Sequence, residues 1–113
     1  MPRQLLRELV ASLITETAAG RVKWDTTSVA NAFRLNLGSK TIQIRQDTEW
    51  DGRDDDEYRE VTVMAEDEIL DSIKAFSGED YVLLGQLYDE ARASALNVDS
   101  QLSDLLKELK RKS

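Results

Sequence analysis

The sequence predicts an α+β domain: an antiparallel four- to five-stranded meander with an N-terminal helix and two C-terminal helices packed on one face. Apolar residues recur at helical spacing near both ends of the chain and at two-residue spacing through the middle. The connections are short, and the strands are gathered between helices instead of alternating with them, which argues against a parallel βαβ layout.

The elements follow in order. Leu5, Leu6, Leu9, Val10, Leu13 and Ile14 fall on one broad face of a helix from about Arg3 to Ala18. Gly20 ends it, and Val22 and Trp24 alternate with charged residues as in a short strand, with Trp24 in the core. In NAFRLNLGSKTIQIRQ two alternating runs flank Gly38-Ser39, and a two-residue turn there pairs Leu37 with Lys40, Leu35 with Ile42 and Phe33 with Ile44. Phe33, Leu35, Leu37, Ile42 and Ile44 then share one face, with Arg34, Asn36, Thr41, Gln43 and Arg45 on the other. After a polar loop from Asp47 to Glu57, YREVTVMA makes a further strand with Val61 and Val63 inward. Glu66, Asp67 and Glu68 form a turn into a segment that a strand through Ile69 and Ile73 suits better, although Leu70 breaks the alternation and a helical turn would also collect Ile69, Leu70 and Ile73. Ser77 and Asp80 have capping-box spacing for a helix carrying Tyr81, Leu84, Leu87, Tyr88, Ala91 and Ala95. Gly85 inside that helix points to close approach of another backbone. The helix stops near Asn97, and Asp99 caps a last helix with the stripe Leu102, Leu105, Leu106 and Leu109.

At 113 residues the chain makes one domain, 1–113, burying roughly two-thirds of its unfolded surface. No internal repeat, linker or low-complexity tract divides it. With 41% hydrophobic and 33% charged residues it suits neither a disordered tail nor a membrane protein. Charged residues interrupt the apolar start, so no signal-peptide core is encoded and the expected location is the cytoplasm. With no His and no Cys, there is no Ser-His or Cys-His nucleophile, no redox pair and no zinc site of the usual ligands.

Candidate chemistry concentrates at 47–58. Asp47, Glu49 and Asp51 with Gly52 match the first, third, fifth and sixth positions of an EF-hand loop, but Tyr58 stands where the closing bidentate carboxylate belongs. No carboxylate pair is singled out as acid and base, and no cofactor is expected. Asn97-Val98-Asp99 between two helices invites comparison with a helix-turn-helix, yet Asp99, Ser100, Gln101 and Asp104 would aim the wrong groups at the groove, and the net charge is −7. Neither nucleic acid nor membrane is an expected partner. From Asp47 to Asp71 the net charge is −10, which leaves +3 elsewhere, so one end of the molecule is expected to be strongly acidic. Trp50 is expected to anchor the acidic loop by packing, the other reading being an exposed contact residue.

The segments GRVKWDTT, NAFRLNLG and SALNVDSQLSDLLKEL resemble a set of small bacterial cytoplasmic proteins of unknown function that share a helix, a β-meander and a closing helix with this ending. The likeness rests on Gly20, Trp24, Phe33, Leu37 and the Ala95 to Leu109 stripe, and implies the fold without implying an activity. The functional expectation is a non-enzymatic protein-binding domain, such as an acidic inhibitor, immunity-type or chaperone-like partner. Its expected contact residues are Asp47, Glu49, Asp51, Asp54, Asp55, Asp56 and Glu57, facing a basic protein. The alternative is a small carboxylate-based enzyme or a divalent-metal or ligand-binding domain.

Because the apolar elements supply a core unaided and the incomplete 47–58 loop could add weak calcium affinity at most, millimolar calcium is expected to move the melting temperature little. A rise of many degrees that EDTA abolishes would contradict this.

Overall fold

In a computed structural model, which describes residues 3–112 with Arg3 as backbone only, the chain runs α1 (Arg3–Ala18), β1 (Asp25–Thr26), β2 (Ala32–Leu37), β3 (Lys40–Trp50), β4 (Asp55–Ala65), β5 (Glu68–Ala75), α2 (Gly78–Ala95), α3 (Val98–Lys112). The strands form one antiparallel sheet in the order β1-β2-β3-β4-β5. The α+β class and the meander are as expected.

The β2–β3 hairpin has the expected register: Leu37 opposite Lys40, Leu35 opposite Ile42, Phe33 opposite Ile44. Gly38 makes its turn at φ +62°, a left-handed conformation that costs glycine little. Phe33, Leu35, Ile42 and Ile44 are buried, whereas Leu37 shares their face but lies beyond the helices and is exposed. β4 and β5 join through Glu66 and Asp67 alone, since Glu68 already belongs to β5. The irregular Leu70 is explained by a β-bulge: Val63 pairs with Asp71 and Met64 with Ile69, so Leu70 is the extra residue. The short strand expected through Val22 and Trp24 is displaced: β1 is only Asp25–Thr26, and both residues precede it.

α2 lies across the sheet and touches all five strands, and α1 packs beside it against β5. Val10, Ile44, Val61, Leu84 and Leu87 are the largest fully buried side chains, each contributing about 1.5 to 3 kcal/mol by leaving water. Phe33 meets Tyr88 of α2 at 5.5 Å between ring centres. Trp24, 2% exposed, joins both helices: its Nε1 donates to Thr17 Oγ1 at 2.9 Å and its backbone N donates to Ser94 Oγ at 3.0 Å. Arg7 of α1 grips Asp80 through Nε to Oδ1 at 2.9 Å and Nη2 to Oδ2 at 3.0 Å.

That grip corrects the expected capping box. Ser77 is the N-cap but makes no side-chain capping bond, and Asp80 faces Arg7. Asp99 likewise is no cap: α3 begins at Val98, after Asn97 at φ +51°, and Asp99 lies in its first turn. α3 also departs from the expected three-helix cover. It touches only α2 and buries none of its described side chains, because the short Leu96-Asn97 junction directs it away from the sheet. The Cα radius of gyration is 16.2 Å, against about 13 Å for a compact chain of this length.

Phe33→Ala is expected to cost about 3 to 5 kcal/mol in urea melts, with Arg34→Ala near zero. Comparable losses at the two positions would contradict the register.

Candidate functional site

The segment expected as an acidic loop is mostly strand. β3 and β4 stay paired from Lys40 with Ala65 out to Trp50 with Asp55, leaving only residues 51–54 as the turn. β2 and β5 are shorter, so residues 47–57 form an arm projecting beyond the rest of the sheet. Ladder hydrogen bonds between two neighbouring strands suffice to extend it, whatever its composition suggests.

The base of the arm is held on both faces. On the helix side Arg59 is the central group: its Nε donates to Gln46 Oε1 at 2.9 Å, its Nη1 donates to the Tyr81 carbonyl at 2.9 Å, and its guanidinium lies 3.9 Å from the centre of the Tyr81 ring. Tyr81 OH in turn donates to Glu57 Oε2 at 2.9 Å. Burial, and then this bond, push the Tyr81 hydroxyl above the usual tyrosine pKa. Gly85 is where Arg59 fits, since a Cβ there would overlap the guanidinium. The expected close approach at Gly85 is therefore a side chain from β4 and not another backbone.

On the open face Tyr58 is only 5% exposed although no helix covers it. Lys74 Nζ sits 4.2 Å from its ring centre, Phe76 packs at 5.7 Å and Arg45 flanks it at 5.5 Å. Lys74 also reaches Glu49 Oε1 at 3.2 Å, and Arg45 pairs with Glu60 at 3.1 Å. These cations cover an aromatic ring while answering the carboxylates beside it.

The seven predicted contact residues therefore divide by role. Glu57 and Glu49 bind the arm to α2 and β5. Asp47 accepts from the Thr48 amide at 2.8 Å, and Asp51 Oδ1 folds the turn by accepting from the amides of Arg53 and Asp54 at 2.8 and 2.9 Å. Those two amides hold Asp51 below the usual carboxylate pKa, whereas the hydrogen bond that protonated Asp56 donates to Asp51, together with the Asp51 charge, raises Asp56. Asp54, Asp55 and Asp56 are exposed at the tip. Trp50 is 64% exposed beside them, so the expected packing anchor is instead an outward-facing side chain.

The acidic run from Asp47 to Asp71 is not one pole. β4 separates the tip from the turn at Glu66–Asp67 by about 33 Å at 3.3 Å per residue, several times the roughly 8 Å screening length at physiological salt. The sequence neighbours fall at opposite ends of the sheet, and only the tip carries the predicted residues. The flanks of 51–54 are strands and not EF-hand helices. No group of three or more Asp or Glu among the described residues is placed to hold a metal ion. A separate cleft of about 450 Å³ lies between the end of α1 and the α2–α3 junction, lined by Thr17, Trp24, Glu90, Ser94 and Val98 among others.

No protein-family model, curated protein or solved structure matches the chain. No helix among the described residues is long and apolar enough to cross a membrane.

Two outcomes follow. In a carboxyl-carbon NMR titration Asp56 is expected to protonate before Asp51 as pH falls, and Asp51→Asn should return Asp56 to ordinary behaviour; the reverse order would contradict the tip geometry. Gly85→Ala should destabilise the wild type by displacing Arg59, yet stabilise an Arg59→Ala background by up to about 1 kcal/mol, the usual helix preference for alanine. Equal effects in both backgrounds in urea melts would show that Arg59 does not occupy the space at Gly85.

Proposed function

We propose that this chain is a non-enzymatic protein-binding domain whose contact surface is the β3–β4 arm. The observation that carries the proposal is Trp50, a large aromatic side chain exposed at the end of β3 beside Asp54, Asp55 and Asp56. An exposed tryptophan gives up much apolar surface to a partner, and such residues dominate binding energy at interfaces. The surrounding carboxylates would draw in a partner with a basic surface and set the encounter rate. The clamps at Arg59 and Tyr58 support the reading because an arm fixed at its base loses less conformational freedom on binding. An acidic inhibitor, an immunity-type protein or a chaperone-like partner, acting in a bacterial cytoplasm, suits such an arm.

The test is capture of the partner from source lysate at low salt, followed by association kinetics with the purified partner. Trp50→Ala should weaken binding by about 2 kcal/mol or more, mainly through faster dissociation. The combined Asp54→Asn, Asp55→Asn and Asp56→Asn variant should associate more slowly and lose salt dependence while melting like the wild type. Unchanged rates in both variants would move the contact surface away from the arm, toward the open sheet face around Arg34 and Gln43.

A further inference from the structure

α3 holds a surface the fold itself does not use. Leu102, Leu105, Leu106 and Leu109 are each more than half exposed, and Val98, Leu102, Leu105 and Leu109 follow the alternating four- and three-residue steps of a coiled-coil seam. A helix of fifteen residues is marginal in water without tertiary packing, so a seam of which its own chain partly covers only Val98 calls for a cover.

We infer that the cover is α3 of a second copy, laid antiparallel. The charge along the helix selects both the occupant and the direction. Residues 98–104 carry −2 through Asp99 and Asp104, and residues 105–112 carry +3 through Lys107, Lys110, Arg111 and Lys112 against Glu108. Antiparallel pairing sets each acidic half against the basic half of the other copy, and also opposes the two helix dipoles. Parallel pairing would stack +3 on +3. A two-fold interface must be complementary to itself, and this helix is, when reversed. The geometry of the chain agrees. Each α3 is attached to its domain at its N-terminal end, so the antiparallel pair keeps two bodies, each of net charge −8 without its α3, at opposite ends of a helix about 22 Å long.

Sedimentation equilibrium of the full chain from low to high micromolar concentration should approach twice the 12.8 kDa chain mass. The Leu102→Glu, Leu105→Glu double variant should sediment at the single-chain mass while still unfolding cooperatively in urea, with a midpoint that no longer depends on chain concentration, because α3 contributes nothing buried to the core. A single-chain mass throughout the wild-type range would overturn the inference, as would a dimer that survives the double variant. Direction is read from cross-linking, which the cysteine-free chain makes clean. Gln101→Cys and Glu108→Cys chains, mixed and oxidised, should give the mixed disulfide in preference to either self-linked species. A mixture without the mixed product would overturn the antiparallel arrangement.

Discussion

The guanidinium of Arg59 occupies the space between Gln46, the Tyr81 ring and Gly85, where the apolar core ends and the arm begins. Below it, Ile44, Val61, Leu84 and Leu87 exclude water and hold α2 on the sheet by burial alone. Above it the strands continue but the helices do not, and no apolar partner is available. A leucine at this position would fill the gap but leave Gln46 without its donor and make no bond to the Tyr81 carbonyl. The planar, always charged guanidinium does both while stacking on the ring. Tyr81 then reaches Glu57, so on the helix side the orientation of the arm follows from one side chain and the glycine that admits it.

What could be read from the chain depends on the distance over which each feature is decided. The β2–β3 hairpin was legible because the Gly38-Ser39 turn and the alternation of Phe33, Leu35, Ile42 and Ile44 independently specify the same register. Even the anomaly at Leu70 was visible as a break in period, although only the pairing with β4 shows it to be a bulge. The arm is not legible in the sequence because strand formation there rests on ladder pairing, while a run of Asp and Glu has the composition of a loop. Ser77 and Asp80 had the spacing of a cap, but Asp80 is taken by Arg7, 73 residues away. The Leu102 to Leu109 stripe announces an apolar face without saying which surface meets it.

Electrostatics are organised by the sheet and not by sequence proximity. Antiparallel reversal carries Glu66, Asp67 and Glu68 to the end of β4 opposite the tip, so a single local charge of −10 becomes two separate fields. Within the tip, carboxylates with local work at Glu49, Asp51 and Glu57 sit beside Asp54 and Asp55, which contribute charge at the surface. The intrachain partners explain how so dense an acidic segment keeps a defined shape, since the lysine, tyrosine and backbone donors offset part of its self-repulsion.

The arm carries Trp50 outward in an anionic field. Steady-state quenching of tryptophan fluorescence by caesium and by iodide, compared between wild type and Trp50→Phe, isolates that residue from the buried Trp24. Trp50 should be quenched far more by caesium than by iodide at low salt, with the preference collapsing as salt rises. A Trp50 signal shielded from both ions, or equally open to both at low salt, would contradict this placement of Trp50.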